Sequence, residues 1–464
     1  MHKSLYLILL SFLVSNCSDG SHQYNDIKSA AEKYRAYNAI TFLADSSQLS
    51  DNQQLVFIKD NIDLVGAPNT AGSIALLDNI PSQDAFLVSK MHSSGYAVAG
   101  KTNLSEWANF RSFNSISGWS SVAGQTLHFM GDDYNPCGSS SGSAVVVALK
   151  IVKAAIGTET NGSISCPASV NGIVGIKPTV GLVSRTGIIP ISPTQDTAGP
   201  MAINVTEAAK LLSAISGPDP KDPQTLTRPE NFQDNFLPDL VNLPLYGKKF
   251  GLLPSGENDT EALRLLERIQ TLISQQGGTI IKIEQPPYPG DEELVILLYE
   301  FKHALEAYLS SSNASIKSLK ALMEFNQLNA DLVMPYFDQS IFEASLKAAE
   351  DSETYESSLA IALESATNFI NSAIDDNELV ALIGLTRGPA WKIDSVKGDD
   401  GALQDYPAWG NGGFSAIAGT PHITIPFGEA YGLPIGLSLM GKAWSDHELV
   451  QLAFTLESIL AKSN

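Results

Sequence analysis

Residues 157–167 read GTETNGSISCP, and residues 135–144 read NPCGSSSGSA. The first run continues KAAIGTET (153–160), whose apolar start reads as a short buried strand. The second opens the Ala- and Val-rich segment 140–150, which reads as a helix. Both runs of small residues therefore lie where regular structure gives way to loop, and glycine there lets backbone approach another group closely. The same alternation extends outward. QLVFIKDNIDLVGAP (54–68) reads as a strand leaving into a turn, and GYAVAGKTNLSEWANF (95–110) as strand, turn and helix. Residues 26–47 have helical spacing, and 170–192 read as irregular or short strand. Segments 248–256 and 278–286 read as strands flanking a helix at 261–276; residues 292–374 are helical throughout. Strands at 378–385, 421–428 and 433–441 precede an amphipathic helix at 446–461. Strands alternating with helices predict a layered α/β domain, and the long helical block reads as an insertion that shapes a cleft.

Composition narrows the function. The chain has 464 residues, 44% hydrophobic and 17% charged, as in folded globular proteins. Its net charge of −21 opposes nucleic-acid phosphates, so no nucleic-acid partner is expected. At the N-terminus, Lys3 precedes an apolar run from Leu5 to Val14, the pattern of a secretory signal. LVSNC also has the look of a lipoprotein signal, although Asn16 departs from the usual small residue. Residues 1–16 are thus expected to be a signal, with Cys17 the lipidated, membrane-attaching residue and the protein exported to the periplasm. Residues 25–464 are expected to form one domain. The three cysteines, Cys17, Cys137 and Cys166, have no metal-ligand spacing. Cys137 and Cys166 could pair in an oxidising compartment, but two buried free thiols are the favoured expectation.

Three chemistries compete for the loops. GYAVAGKT (95–102) satisfies the P-loop pattern, but its loop positions are alternating strand formers, so nucleotide binding is disfavoured. GSSSG (138–142) satisfies the nucleophile-elbow pattern with Ser140 as nucleophile, and His422 or His447 could follow as base. A polar turn precedes it instead of a buried strand, so an esterase of that type is the runner-up. The third chemistry uses both loops in amide hydrolysis, which needs a nucleophile, a base and donors for the oxyanion. A lysine can replace histidine as the base if burial and neighbouring positive charge make it neutral.

The extended match identifies the chain as resembling the amidase signature family. It rests on NPCGSSSGSA and on AIGTETNGSISCPASVNGIVGIKP, with IKDNIDLVGAPNTAGS upstream and GLPIGLSLMGKAWSDHELVQLAFTLE downstream, and it spans about residues 59–457. The resemblance implies a single large domain, with a mixed central sheet covered by helices on both faces. It implies Ser163 as nucleophile, Ser139 (24 residues earlier, after a cis peptide bond) as relay, and Lys59 as base. Thr160, Asn161, Gly162 and Ser163 would supply oxyanion amides. Neither metal nor cofactor is implied, nor an obligate protein partner. GTETNGSISCP and WANFRS are most similar to bacterial peptide amidases, which implies small amides or C-terminal peptide amides as substrates. Two positions depart from the family: Asn161 stands for a common glycine, and Ser165 for a frequent arginine.

The residues alone do not single out Lys59 over Lys101, Lys153 or Lys177, and lone serines in such loops are usually turn residues. Asp196 is either a buttress for loop amides or a plain turn cap. Trp107 and Trp391 are candidate cleft residues, although tryptophan is more often core. Two other functions compete: an exported binding lipoprotein without activity, and the glutamine-hydrolysing subunit of an amidotransferase. The intact Lys59, Ser139 and Ser163 argue against the first, and the export signal against the second.

Overall fold

The computed structural model describes residues 20–49, 53–131, 133–407 and 409–463. The expected signal at 1–16 and Cys17 lie outside the described residues. In chain order the strands are β1 (Ile40–Leu43), β2 (Gln54–Lys59), β3 (Tyr96–Thr102), β4 (Trp119–Ser120), β5 (Gly124–Gln125), β6 (Ala154–Glu159) and β7 (Val174–Lys177). They continue with β8 (Thr197–Ala202), β9 (Lys249–Leu252), β10 (Thr279–Lys282), β11 (Leu379–Leu385), β12 (His422–Ala430) and β13 (Leu433–Met440). β4 and β5 form a small ribbon. The other strands form one mixed sheet in the order β1-β3-β2-β6-β8-β7-β12-β13-β11-β9-β10. Parallel pairing joins β3, β2 and β6 at one end and β11, β9 and β10 at the other.

The Leu55–Ile58 run explains why β2 is central. Four consecutive apolar residues need cover on both faces. Val56 and Ile58 pack with Leu211, Leu212 and Val450 on one side. Leu55 and Phe57 pack with Val145 and Val147 on the other. The period of two then puts Lys59 on the same side as the helix Ser141–Ala148. Helices Phe86–Ser93, Val205–Ile215, Thr260–Gln275 and Asp446–Ser463 cover the first face. Helix Thr260–Gln275 shows the logic of this cover. Asp259 caps it by accepting from the Glu261 and Ala262 amides, and Leu265, Ile269, Leu272 and Ile273 form its buried stripe. Each such side chain contributes about 1.5–3 kcal/mol by leaving water. Removing the cap costs about 1 kcal/mol.

Between β10 and β11 runs the predicted helical insertion, from Gly290–Ser311 to Ser352–Asn377. Its first helix packs Phe301, Leu305 and Leu309 against Phe342 and Trp107, which anchors the insertion beside the loop after β3. No helix among the described residues is long and apolar enough to cross a membrane.

Two expectations fail locally. Helical spacing over 26–47 gives a helix only to Lys33, and Ile40–Leu43 becomes an edge strand antiparallel to β3. Asn38, at φ 49°, makes the turn between them, and sheet pairing overrides the weak helical pattern. The helix expected in NLSEWANF is a single 3₁₀ turn, Glu106–Asn109, with Trp107 and Ala108 at φ 53° and 54°. Glu106 is held there by a buried ion pair with Arg111, 2.8 Å.

Candidate active site

Lys59 ends β2, and parallel β6 ends beside it at Glu159. Loops beyond the carboxyl ends of parallel strands are where α/β sheets place their sites. Lys59 is 0% exposed. Its Nζ donates to Ser139 Oγ at 2.8 Å, to Thr158 Oγ1 at 2.8 Å and to the Thr158 carbonyl at 3.2 Å. Asn61 Nδ2 also reaches Thr158 Oγ1, at 3.0 Å. Desolvation lowers the Lys59 pKa to about 7. The expected neighbouring positive charge is not what does this. Asp196 and Glu159 act on Lys59 in the opposite sense, so burial alone lowers its pKa.

Ser139 follows a cis peptide bond from Gly138 and is fully buried. Ser163 is 8% exposed. Both line one cavity of about 430 Å³, which is also lined by the apolar run Ile188–Ile191 and by Ala304 and Ala307 of the insertion. The Ser140 amide donates to the Ser163 carbonyl at 3.2 Å, which joins the two loops. Among the described residues, no protein acceptor takes the backbone amides of Asn161, Gly162 or Ser163. Gly162 sits at φ +85°, where only glycine is unstrained. Asn161 has no positive φ, so asparagine fits where the family commonly has glycine. Its Nδ2 donates to Tyr288 Oη at 2.9 Å and Glu293 Oε1 at 2.8 Å, tying the turn to the insertion.

Buried carboxylates hold the turn. Glu159 Oε2 accepts from the Ile164 and Ser165 amides at 2.7 and 2.8 Å and from Ser165 Oγ at 3.1 Å. Ser165 is therefore spent on the turn itself. Asp196 Oδ1 accepts from Thr160 Oγ1 at 2.5 Å, and its Oδ2 from the Ile191 and Ser192 amides at 2.8 and 2.9 Å. It buttresses the loop, and desolvation raises its pKa to about 6.

The competing assignments separate cleanly. Ser140 Oγ donates to the Thr158 carbonyl at 3.0 Å and accepts from the Thr158 amide at 3.2 Å, so it is a structural clasp. His422 is buried, paired with Ser438 at 2.6 Å, and its pKa is lowered to about 4 by burial. His447 pairs with Asp239 at 2.5 Å and stacks on Phe236. Neither histidine meets Ser140. Residues 96–102 of the P-loop match are strand β3. Of the rival lysines, Lys101 is locked to Asp60 at 2.7 Å, Lys153 is exposed, and Lys177 reaches only the Pro178 carbonyl. Among the described residues no cluster of metal-ligating side chains occurs.

A family model for amidases matches residues 54–450. The chain belongs to the amidase family. It is similar to the structure of native peptide amidase from Stenotrophomonas maltophilia: 36% identity, TM-score 0.88, covering 96% of this chain and 94% of that one. A peptide amidase in complex with the competitive inhibitor chymostatin matches at 38% identity and TM-score 0.85, covering 94% of each chain. Among curated relatives, a "Probable amidase" of Arabidopsis thaliana is 35% identical over 413 residues, 87% of this chain and 75% of its own. A glutamyl-tRNA(Gln) amidotransferase subunit of Methanosarcina barkeri is 30% identical over 412 residues, covering 87% of this chain and 83% of its own. The protein is a hydrolytic enzyme of amides.

In this amidase Cys137 and Cys166 form a disulfide, with Cα atoms 6.1 Å apart. This corrects the expectation of free thiols. Cys137 lies two residues before Ser139 and Cys166 three after Ser163, so the bond staples the two loops together. Trp107 and Trp391 are core residues, each 2% exposed. Sequence reasoning missed Asn61, Thr158, Glu159, Tyr288 and Glu293. Thr158 and Glu159 stand inside the quoted GTET run, where polar residues ending an apolar strand were a usable signal. No local signal announced Tyr288 or Glu293.

Proposed function

We propose that the amidase hydrolyses C-terminal peptide amides or similar small amides through Ser163, Ser139 and Lys59. The observation that carries this is a buried lysine with pKa about 7, bonded to Ser139 behind the cavity that Ser163 lines. Neutral Lys59 takes the Ser139 hydroxyl proton while Ser139 takes that of Ser163. Ser163 Oγ forms a bond to the amide carbonyl carbon, and the carbonyl π pair moves to oxygen. The unspent amides of residues 161–163 offer donors to that oxyanion. Collapse breaks the C–N bond, and the leaving nitrogen takes the proton back through Ser139. Water then cleaves the ester by the same relay and releases the carboxylic acid. The peptide-amide reading is supported by similarity to the peptide amidases, and the apolar wall at 188–191 suits side chains of such substrates.

Ammonia release from a panel of peptide amides, aryl amides and glutamine tests the reading. Peptide amides should lead by kcat/KM, and glutamine leading would favour the amidotransferase-type chemistry instead. Export with lipidation at Cys17 belongs to the same proposal. The N-terminal pattern supports it, and a Cys137–Cys166 disulfide suits an oxidising compartment. Intact Met1 on cytoplasmic protein would overturn it.

A further inference from the structure

A second cavity, about 390 Å³, borders the turn that carries Ser163 and is lined by Asn161, Gly162, Ser165, Tyr288, Arg387 and Phe414, among others. We propose that Arg387 makes it a carboxylate-binding subsite, so that among peptide amides this amidase favours those whose acyl part carries a side-chain carboxylate. The substrate half of this inference rests on the Ser163 reading above; the binding half does not.

Arg387 lies two residues beyond the end of β11, its backbone fixed by a bridge to Gly410. Its guanidinium lies over the Trp391 ring, 5.5 Å from the centroid. That platform is rigid, since Trp391 is buried and its Nε1 donates to Asp399 at 3.2 Å. The guanidinium itself forms no ion pair with, and donates no hydrogen bond to, any described residue. Other arginines of the chain are held otherwise: Arg111 pairs with Glu106, Arg185 with Asp222 and Arg228 with Asp234. Asp399 and Asp400 act on Arg387 only through their field. Asp399 is occupied by the Ser117 amide at 2.8 Å and Asn135 Nδ2 at 2.9 Å. Burial pulls the guanidinium pKa down, which means the cation sits there at a cost that nothing in the protein offsets fully.

A half-buried guanidinium with idle donors, facing a cavity, is a fork shaped for a carboxylate. Tyr288 and Phe414, whose rings meet edge-to-face at 5.4 Å, give the cavity an apolar wall for a short methylene chain. The cavity also borders the backbone at Gly162, next in sequence to Ser163, where even an added Cβ would meet no atom within 4 Å. A short acyl chain ending in a carboxylate fits these three features together.

The test is isothermal titration of glutarate into Ser163→Ala protein, which binds without turnover, alone and combined with Arg387→Gln or Arg387→Lys. Glutarate should bind the Ser163→Ala protein and weaken roughly 10- to 100-fold with Arg387→Gln, with partial retention in Arg387→Lys. Neutral glutaramide should be indifferent to either change. Arg387→Gln should melt no lower than its parent, because it removes an unpaired buried charge; a structural arginine would show the reverse. Equal glutarate affinity with and without Arg387, or none in the parent, overturns the subsite. So does wild-type enzyme that hydrolyses butyramide as fast as glutaramate. Arg387-dependent glutarate binding with no ammonia from any amide would instead break the Ser163 reading and leave the subsite standing.

Discussion

Lys59 and Lys101 lie on adjacent parallel strands, with Lys101 opposite Ile58, and both are fully buried. Desolvation lowers the pKa of both. Their partners differ. Lys101 meets the Asp60 carboxylate at 2.7 Å, and Asp60 is itself fixed by Thr70 Oγ1 at 2.5 Å. Lys59 meets only two hydroxyls and a carbonyl, which hydrogen-bond an amine without demanding its charge. One buried amine therefore sits in an ion pair, and the proposed mechanism uses its neighbour as the base. Burial favours the neutral form of both lysines, and the carboxylate touching Lys101 opposes it there.

The largest effect lies beyond the lysines. Ser163→Ala should lower kcat on the order of 10⁶-fold with the fold intact, since Lys59 then has no nucleophile to serve. Ser140→Ala should retain most activity, because its hydroxyl only clasps Thr158. Single-turnover ammonia release on both variants checks this, and a dead Ser140→Ala beside a live Ser163→Ala would break the scheme. Next come the lysines themselves. Lys59→Ala should cost roughly 10²- to 10⁴-fold in kcat and leave the melting transition in place. Lys101→Ala should instead lose about 3–5 kcal/mol of stability, because Asp60 is left buried and unpaired. Denaturant melts beside kinetics separate the two, and interchanged phenotypes would erase the distinction drawn here. A smaller effect concerns the staple. Removing the Cys137–Cys166 bond, whose ends are 29 residues apart in sequence, should cost about 3–4 kcal/mol by chain entropy. Melts of Cys137→Ala/Cys166→Ala protein measure it, and an unchanged midpoint would show the loops need no staple.

Much of this was legible in the chain before folding. Apolar runs gave β2 and β6, while the polar end of β6 at Thr158 and Glu159 was a signal left unused. The serine loops stood out as runs of small residues, but family resemblance chose their chemistry, since serines in such loops are usually turn residues. Lys59 itself was chosen by family resemblance, since nothing local distinguishes it from Lys101; only tertiary packing decides which lysine meets a carboxylate. The Asn161–Tyr288–Glu293 ties were not legible, because they join residues about 130 positions apart across an insertion. β1 was missed for a related reason: an edge strand of four residues is specified by the neighbour it pairs with. The disulfide depended on two loops meeting, which spacing alone does not report.

The most direct test is kcat/KM against pH for the wild type, Lys59→Ala and Asp196→Asn. Activity should rise with pH as Lys59 loses its proton, on a limb with midpoint about 7. Asp196 raises the Lys59 pKa, so Asp196→Asn should move that midpoint lower without removing the limb. Lys59→Ala should show residual activity without it. A limb that survives Lys59→Ala, or that vanishes in Asp196→Asn because it belonged to that carboxylate with its pKa about 6, would contradict Lys59 as the base.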